Sequence, residues 1–463
     1  MTPAKFSTGR VQVDKTVSEL RAMGEAARAK VSFEDLGRFQ PTGRDSRPMM
    51  DQVRRMLIPE LLPERTRRMG ASPFAFFRGT AELMEADLDT QLNTGILTFT
   101  CGDAHIGNFG FYASPERRLL FDLNDFDEAG IAPWEWDLKR LLVSVVLAGR
   151  ANGFKEKKLK ECLPEVANSY RKSIKKMFDQ TTLDRFYPLN DVEKLVQASA
   201  LDQDNYQLLM NIINHANKRD SEQVVRKFTT LDQRGGLCFR ENAPRTTHVS
   251  DDFTQNVSAY FGAYRATLRP DVNLLLSQYH ITDVVRHSVG VGSFGSRCYL
   301  ILLTAIDGSH LVLQVKEALP TRRRGSQRST RLTAAFEQTE GQRIVDSQKI
   351  LQSASDSFLG YFSGKQRSFY VRQFRDMKES VDLTQLDWDQ FQTYARTCAW
   401  TLAIAHAQSP TAAMIRGYIG GGGKTLDAQL ANFAFAYADQ VAADYTAFCD
   451  YRLSDQDQPV TTN

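Results

Sequence analysis

The stretch "DVVRHSVGVGSFGSRCYLILLTAIDGSHLVLQVKEA", residues 283–318, constrains the fold more than any other part of the chain. Its apolar runs "YLILL" and "LVLQV" are separated by Asp307-Gly308, a dipeptide typical of a tight hairpin turn. The glycine-rich segment "GVGSFG" precedes the first of these runs. The stretch therefore predicts three strands, of which the first two are joined by a glycine-rich turn and the last two by a hairpin.

The glycine-rich turn has the pattern GxGxxG at Gly290, Gly292 and Gly295. A dinucleotide-binding fold needs a helix directly after the third glycine, whereas "SRCYLILL" predicts a strand. Strand, glycine turn and strand form the unit that covers the phosphates of ATP in protein kinases. That unit requires a lysine on the next strand, and Lys316 meets the requirement at the end of "LVLQV". We predict that these four residues bind ATP.

The segment "AAFEQTEGQRIVDSQKILQ" predicts a helix at about 332–352. In kinases a glutamate of this helix pairs with the lysine and holds it in place. Glu337 and Glu340 are the candidates, and Gln342 is a polar substitute. Spacing does not choose between the two glutamates, and we favour Glu340.

The stretch "CGDAHIGNFGF", residues 101–111, carries a second set of polar residues. In phosphotransferases an aspartate accepts or orients the proton of the acceptor hydroxyl, and an asparagine five residues later holds Mg²⁺. Asp103 and Asn108 have this spacing. A further aspartate beyond a short hairpin holds the metal again, and "NDFDEAG" supplies Asp125, with Asp122 and Asp127 as alternatives. The sequence thus predicts a magnesium site.

His105 lies between these residues, and we group it with Asp103 as catalytic. We expect it to bond the backbone or Asp125 and so shape the loop, without binding metal. The β-rich segments 94–103 and 117–130 predict a hairpin-like pair with these polar groups at its mouth.

The stretches "GDAHIGN" and "NDFDEAGIAPWEWDL" resemble the aminoglycoside-phosphotransferase branch of the kinase superfamily. The resemblance implies an ATP- and Mg²⁺-dependent phosphotransferase, and it implies that Asp137, at the start of a helix, braces the catalytic loop. One extra residue lies between Pro133 and Asp137 relative to the family pattern. The matching positions are Gly102, Asp103, His105, Asn108, Asp125, Pro133, Asp137 and Leu138.

Most of residues 40–450 also resemble an uncharacterised bacterial family, a domain of unknown function. The matching stretches include "SPFAFFRGTA", "FDLNDFDEA", "PWEWDLKRL", "LQVKEA" and "FYVRQFRDMK". This resemblance implies membership of that family and carries no substrate.

The order of the motifs departs from that of kinases, because the catalytic loop and the metal aspartate precede the glycine turn and the lysine. The sequence is therefore interpreted as a circular permutation. The hinge that meets adenine is expected near 371–378. The segment "TLAIAHAQS", 401–409, resembles the end of the helix that in the unpermuted order leads into the catalytic loop.

The expected fold is α+β, a two-lobed, protein-kinase-like fold in permuted order with a large helical C-lobe. A chain of 463 residues is long enough for more than one lobe. We expect an N-terminal helical or irregular arm at 1–60 and the catalytic-loop and metal-binding part at 61–140. The remaining parts are a helical insert at 141–278, the glycine-turn sheet with its helix at 279–378, and returning helices with a tail at 379–463.

Composition limits the partners. The chain has 58 Lys and Arg against 55 Asp and Glu, and this near-balance gives no electrostatic reason to expect nucleic acid or an anionic membrane. The N-terminus is polar, the apolar runs are too short for a membrane span, and the six cysteines are scattered. These features favour a cytoplasmic protein.

The function expected is phosphoryl transfer from ATP to a hydroxyl of an unknown small molecule or protein. AMP transfer to a protein and a non-catalytic, nucleotide-binding pseudokinase are the alternatives. Further candidates for anion contacts are Arg78, Lys139, Arg140 and the basic run 322–331. The segment "YIGGGGKT", 418–425, lacks the first glycine of a P-loop and predicts a turn between helices.

Overall fold

The computed structural model describes residues 15–187, 221–233, 235–288, 290, 292, 294–320, 339–374 and 379–455. Within these ranges the fold is mixed α+β, with a large helical part towards the C-terminus. The helices of the first half are α1 (Val17–Ala27), α2 (Phe33–Gly37), α3 (Ser46–Arg54), α4 (Leu62–Met69), α5 (Pro73–Gly79), α6 (Ala81–Asp89), α7 (Trp134–Ala151), α8 (Glu156–Met177) and α9 (Thr182–Phe186).

The later helices are α10 (Ser221–Phe228), α11 (Asp252–Gln255), α12 (Val257–Arg265), α13 (Pro270–Leu276), α14 (Glu340–Leu351), α15 (Trp388–Ala407), α16 (Ala412–Tyr418) and α17 (Gly423–Asp455). The strands are β1 (Leu97–Thr100), β2 (Phe109–Ala113), β3 (Leu119–Leu123), β4 (Gly130–Pro133), β5 (Thr229–Leu231), β6 (Leu237–Phe239), β7 (Thr246–Thr247), β8 (Tyr279–His287), β9 (Cys298–Ala305), β10 (His310–Ala318), β11 (Gly360–Ser363), β12 (Ser368–Gln373) and β13 (Glu379–Ser380).

An antiparallel sheet in the order β11-β12-β10-β9-β8-β7 forms one part of the molecule. Strand β9 is apolar along most of its length because both of its faces are covered. Tyr299, Ile301 and Leu303 belong to the core on one face, while Leu300 and Leu302 belong to the core on the other. The three strands and the two connections predicted over 283–318 are confirmed.

Helix α14 crosses from β10 to β11 and packs against β11 and β12. The approach is close, since a Cβ on Gly341 would lie 2.5 Å from the carbonyl oxygen of Phe369. The predicted helix at 332–352 is confirmed from Glu340 onward; residues 321–338 lie outside the described ranges.

The helical part is built around α7, which is buried along nearly its whole length. Helices α8, α15 and α17 pack around it, and their apolar side chains form the main core. Each of these helices is long, and α15 begins at a capping box formed by Asp387 and Gln390. No helix in the described part of the chain is long and apolar enough to cross a membrane.

The strands around the predicted catalytic loop, residues 101–108, pair differently from the prediction. Strand β1 pairs with β4, with Thr100 opposite Gly130, and the hairpin is formed by β2 and β3 instead. The predicted pairing of 94–103 with 117–130 is wrong for residues 119–123, which pair with β2, whereas Gly130 at the end of that segment does pair with Thr100. The loop and the acidic residues after β3 consequently lie at adjacent ends of two small sheets.

Two other regions refine the expected organisation. The segment 141–278, expected to be mostly helical, also contains the short strands β5, β6 and β7. Residues 188–220 of that segment lie outside the described ranges. The glycines near 420 form the predicted turn, which separates α16 from α17.

Candidate active site

Two adjoining cavities lie where the sheet meets the helical part. The larger has a volume of about 590 Å³ and is lined by side chains of β10 and β12 together with the β2–β3 hairpin. The smaller, about 80 Å³, lies beside the catalytic loop. Arg78, Asn108, Asp125 and Gly290 line both. The larger volume is within the range of small-molecule sites, about 300–1,000 Å³.

The predicted catalytic loop is held in place by Asp137, the fourth residue of α7. Its two carboxylate oxygens accept hydrogen bonds from the backbone N–H groups of Cys101 and Gly102, at 2.7 and 2.9 Å. His406, at the end of α15, lies 3.2 Å from the same carboxylate. The sequence resemblance implied this bracing role for Asp137, and the contacts agree with it. Backbone bonds of this kind set the loop's path independently of its side chains.

Asp103 lies at the entrance of the loop and lines the smaller cavity. Its Oδ1 accepts a hydrogen bond from Nε of Arg140 at 2.8 Å, and the same guanidinium donates to the carbonyl oxygen of Phe77. Its Oδ2 lies 4.0 Å from Nε2 of His105, and the side chain is 18% exposed. Arg140 therefore fixes one carboxylate oxygen while the side chain stays accessible from the cavity.

His105 supports the loop, as predicted. Its Nδ1 accepts a hydrogen bond from the backbone N–H of Gly107 at 3.1 Å. Burial, together with the nearby Arg78 and Arg140, lowers the pKa of His105 well below its ordinary value, so the ring is neutral at pH 7. With Nδ1 accepting, the single ring proton is on Nε2, on the side of Asp103.

Asn108 and Asp125 provide the oxygens that a hard cation would need. Nδ2 of Asn108 donates to the carbonyl oxygen of Asp103 at 2.7 Å, which leaves the amide oxygen as its ligand atom. Asp125 is 37% exposed, and both residues line both cavities. An amide oxygen and a carboxylate suit Mg²⁺, which is usually held by one or two protein oxygens plus substrate phosphates. In the described part of the chain no three His, Cys, Asp or Glu side chains form a metal-binding group.

Lys316 lies at the end of β10 and is 4% exposed. Its Nζ donates to Oδ2 of Asp127 at 2.8 Å and lies 4.0 Å from Oδ1 of Asp125. Burial alone would lower the pKa of Lys316, but Asp125 and Asp127 outweigh it and raise that pKa well above its ordinary value. Tyr370, opposite Lys316 on β12, donates its hydroxyl to Oδ1 of Asp127 at 2.8 Å.

Asp127 thus has both oxygens bonded to protein groups. Although burial would raise its pKa, Lys316 and the Tyr370 hydroxyl hold it below the ordinary value. These contacts favour Asp127 as the partner that anchors the lysine. Asp127 lines only the smaller cavity, whereas Asp125 and Asn108 line both. Asp122, the other alternative, is fully buried and bonds Ser353.

The predicted pairing of Glu340 with Lys316 is wrong. Glu340 lies in the first turn of α14, and its carboxylate pairs with Arg343 at 2.7 Å. Arg343 is buried and donates to the backbone carbonyls of Asp127 and Ala129. Helix α14 therefore contacts the site through Arg343, which bonds backbone carbonyl oxygens. A glutamate of α14 is not needed by Lys316, because Lys316 is already paired with Asp127. Gln342 bonds Asp346, and Glu337 lies outside the described ranges.

Each glycine of the turn has a structural reason. Gly290 and Gly295 have φ values of 84° and 104°, where a side chain would be strained. At Gly292 a Cβ would lie 2.8 Å from the carbonyl oxygen of Arg78. The turn is held by two arginines of α4: Arg65 donates to the carbonyl oxygen of Gly292 and Arg68 to that of Gly290.

The far end of the larger cavity is formed by the expected hinge. Gln373 and Phe374, the last described residues before 375–378, both line it. The backbone N–H of Gln373 donates to Asp356 and that of Phe374 to the carbonyl oxygen of Val312. Nearby, Arg372 donates to Gln314 at 3.0 Å, so polar side chains line this face of β10 and β12.

The residues that the sequence suggested for anion contacts lie in different surroundings in the structure. Arg78 lines both cavities, and Arg140 bonds Asp103. Lys139 is buried in the helical core, with Nζ 4.0 Å from the ring centroid of Phe433, and lines neither cavity. The proposed anion contact of Lys139 is therefore wrong, because this side chain points from α7 into the helical core. The next residue, Arg140, points towards Asp103 instead. The basic run 322–331 lies outside the described ranges.

A protein-family model described as "Uncharacterized protein conserved in bacteria (DUF2252)" matches residues 55–451. The chain belongs to this family. The DUF2252 match includes the catalytic loop, the glycine turn and Lys316, and it confirms the resemblance to an uncharacterised bacterial family. It does not connect DUF2252 with the phosphotransferase superfamily. No curated protein matches the chain, and no solved structure does so either.

Several site residues were missed by sequence reasoning. Tyr370 would have been found only from the strand register, which places it opposite Lys316. Arg65 belongs to the run "RTRRM", which has the composition of a solvated helix face, yet it is 4% exposed. Arg343 lies three residues after Glu340, and the kinase pattern predicts a carboxylate in this helix, not an arginine. None of these carries a local signal, since each depends on contacts far along the chain.

Proposed function

We propose that this DUF2252 protein is an ATP- and Mg²⁺-dependent phosphotransferase with a kinase-like, two-lobed arrangement in permuted order. The observation that carries the proposal is the contact between Lys316 and the acidic segment after β3. Lys316 and Asp127 are 189 residues apart in sequence, yet Nζ and Oδ2 are 2.8 Å apart. Two separately predicted sets of residues, the ATP-binding set and the metal-binding set, therefore meet at adjoining cavities.

The sheet supports the same proposal. A glycine turn between two antiparallel strands, a lysine on the third strand and a helix before two returning strands form the expected phosphate-binding lobe of a kinase. In this sheet β10 lies between β9 and β12, so the strand that carries the lysine is bonded to the strand that leads into the expected hinge.

The end of α15 supports the permuted order. Oγ of Ser409 accepts a hydrogen bond from the backbone N–H of Phe99, and the hydroxyl of Thr411 donates to the carbonyl oxygen of Leu97. The residues after α15 thus lie against β1, directly before the catalytic loop. In an unpermuted chain this helix would continue into that loop.

Each residue has a distinct role in the proposed reaction. The acceptor hydroxyl attacks the terminal phosphorus, its proton passes to Asp103, and the bond to the next phosphate breaks to release ADP. Arg140 holds Asp103 in position, and Lys316 binds the phosphates of the nucleotide. A Mg²⁺ held by Asn108 and Asp125 would neutralise phosphate charge.

The proposal is tested by nucleotide binding and turnover. We expect ATP with Mg²⁺ to raise the melting temperature of the wild-type protein. Asp103→Asn should abolish phosphoryl transfer, by about 10³-fold or more, while ATP still binds. Lys316→Met should weaken ATP binding. A wild-type protein that binds no ATP, or an Asp103 variant with normal turnover, would contradict the proposal.

Mass spectrometry of acceptors after incubation with ATP separates the alternatives. A phosphoryl adduct supports the proposal. An adenylyl adduct would show AMP transfer instead, and ATP binding without metal dependence or product would show a pseudokinase. The accessible Asp103 beside Asn108 argues against a pseudokinase, which has no need of either.

A further inference from the structure

Arg78, the penultimate residue of α5, connects the glycine turn with the catalytic loop. Its carbonyl oxygen lies against Gly292, where a Cβ would be only 2.8 Å away. Its guanidinium carbon would be 3.8 Å from a Cβ placed on Gly107, in the catalytic loop. The backbone of one residue therefore touches one side of the site while its side chain touches the other.

The position of α5 is fixed by Arg65. This buried guanidinium donates at 2.9 Å to the carbonyl oxygen of Gly79, directly after Arg78, and also to those of Gly292 and Phe294 in the turn. Ile58 adds a backbone hydrogen bond of 2.8 Å to Gly295. Helices α4 and α5 are thus held to the glycine turn by several directional bonds, so the placement of Arg78 is built into the fold.

The side chain of Arg78 has an unused donor. Its Nε is buried, and no described residue accepts a hydrogen bond from it. Burial lowers the pKa of Arg78, although Asp103 and Asp125 attract its charge. An arginine stays protonated even so, and a buried N–H without a partner is costly. Arg78 lines both cavities, so an anion bound there would meet the guanidinium, and a turn of the side chain towards it would bring Nε, which is closed to solvent in the free protein, onto a ligand oxygen.

We propose that Arg78 binds the terminal phosphate of the nucleotide, as a planar guanidinium placed between the glycine turn and the catalytic loop. The inference rests on the proposed function for the identity of the ligand. A phosphate there would lie near Asp103 and near the metal ligand Asp125, where the transferred group must be. Guanidinium and phosphate match in geometry, since paired N–H groups meet two oxygens.

Calorimetric titration of the full chain with ATP, inorganic tripolyphosphate and adenosine, with Mg²⁺ present, tests this inference. We expect Arg78→Gln to weaken ATP and tripolyphosphate about 10- to 100-fold and to leave adenosine unchanged. Arg78→Lys should retain part of the affinity, because it keeps the charge without the fork. Arg67→Gln is the matched control: that side chain lies on α4, is 72% exposed and pairs with Glu64.

The outcomes separate the two proposals. Equal ATP affinity in wild type and Arg78→Gln, or equal losses for adenosine and tripolyphosphate, would overturn the role of Arg78 while leaving the proposed function in place. Tripolyphosphate binding that depends on Arg78, without ATP binding or turnover, would support the anion site and overturn the phosphotransferase. If Arg78→Gln fails to fold, full affinity in Arg78→Lys would equally overturn the role of the guanidinium fork.

Discussion

Lys139 and Arg140 are consecutive residues of α7 whose side chains lie in different surroundings. Arg140 reaches the site and bonds Asp103, whereas Lys139 is 2% exposed and packs against Phe433. Burial lowers the pKa of Lys139 to about 8, although Glu135 acts in the opposite direction. A charged lysine in this core is therefore a cost to the fold at neutral pH.

The unfolding free energy should consequently rise with pH in the alkaline range. The ordinary pKa of lysine is 10.5 and the folded value about 8, so between these values the unfolded chain binds more protons. The rise due to this group is about 3 kcal/mol in total, absent below pH 8 and complete above pH 10.5. Urea unfolding of wild type and Lys139→Met at several pH values measures it, and the variant should lack this component. Parallel pH profiles would show that Lys139 is solvated.

What the sequence could reveal about single residues depends on how local their chemistry is. The spacing of Asp103 and Asn108 is set within one loop, and the structure brings both to the cavities as predicted. The partner of Lys316 was predicted to be Glu340 and is Asp127. Spacing along a helix could not decide this, because the choice depends on which carboxylate the folded chain brings within about 3 Å.

Helices α1 and α16 cross with their backbones in contact. A Cβ on Gly24 would lie 1.9 Å from the carbonyl oxygen of Met414, and one on Gly417 would lie 2.0 Å from that of Arg21. Backbone atoms cannot move aside as a flexible side chain can, so both positions require glycine.

Gly24→Ala should lower the unfolding free energy by about 1–3 kcal/mol or more, since the two helices must separate. Gly262→Ala is the matched control, because Gly262 lies inside α12 with no atom within 4 Å of the added Cβ. There alanine should be neutral or stabilising by up to about 1 kcal/mol. Equal effects of the two substitutions in urea unfolding would contradict the crossing.

Elements with a strong local pattern were predicted well, and their pairings less so. The helix predicted at about 332–352 ends within one residue of α14, and the strands predicted within 283–318 are present, since apolar runs and periodicity mark them. The pairing of β1 with β4 was missed, because pairing depends on where the loop and the hairpin fold back. The short strands within 141–278 were missed because each has only two or three residues, too few for an alternating pattern, although Gly235-Gly236 marks the turn between β5 and β6.

The two parts of the molecule are joined by an ion pair in which Lys316 is buried and the side chain of Asp127 is 29% exposed. Lys316 belongs to the sheet and Asp127 to the segment after β3, and Tyr370 holds the same carboxylate. Arg343 adds bonds from α14 to the backbone of Asp127 and Ala129. The relative position of the glycine turn and the catalytic loop depends on this junction.

Asp127→Asn should lower the unfolding free energy by about 3–5 kcal/mol, because it leaves Lys316 buried with only Asp125 nearby. Tyr370→Phe removes one hydrogen bond and should cost about 1 kcal/mol. The double variant Asp127→Asn with Lys316→Met should be more stable than Asp127→Asn alone, since no unpaired charge remains. Additive losses in this double-mutant cycle would contradict the pairing.

The same ion pair sets a condition on synthesis. Asp127 leaves the ribosome 189 residues before its lysine. At roughly 5–20 residues per second, about 10–40 seconds pass before the cation exists. During that time the carboxylate of Asp127 has no lysine to pair with, so we expect the acidic segment to stay hydrated. The half of the candidate site that holds Asp103 and Asp125, although made first, should be among the last parts of the protein to close.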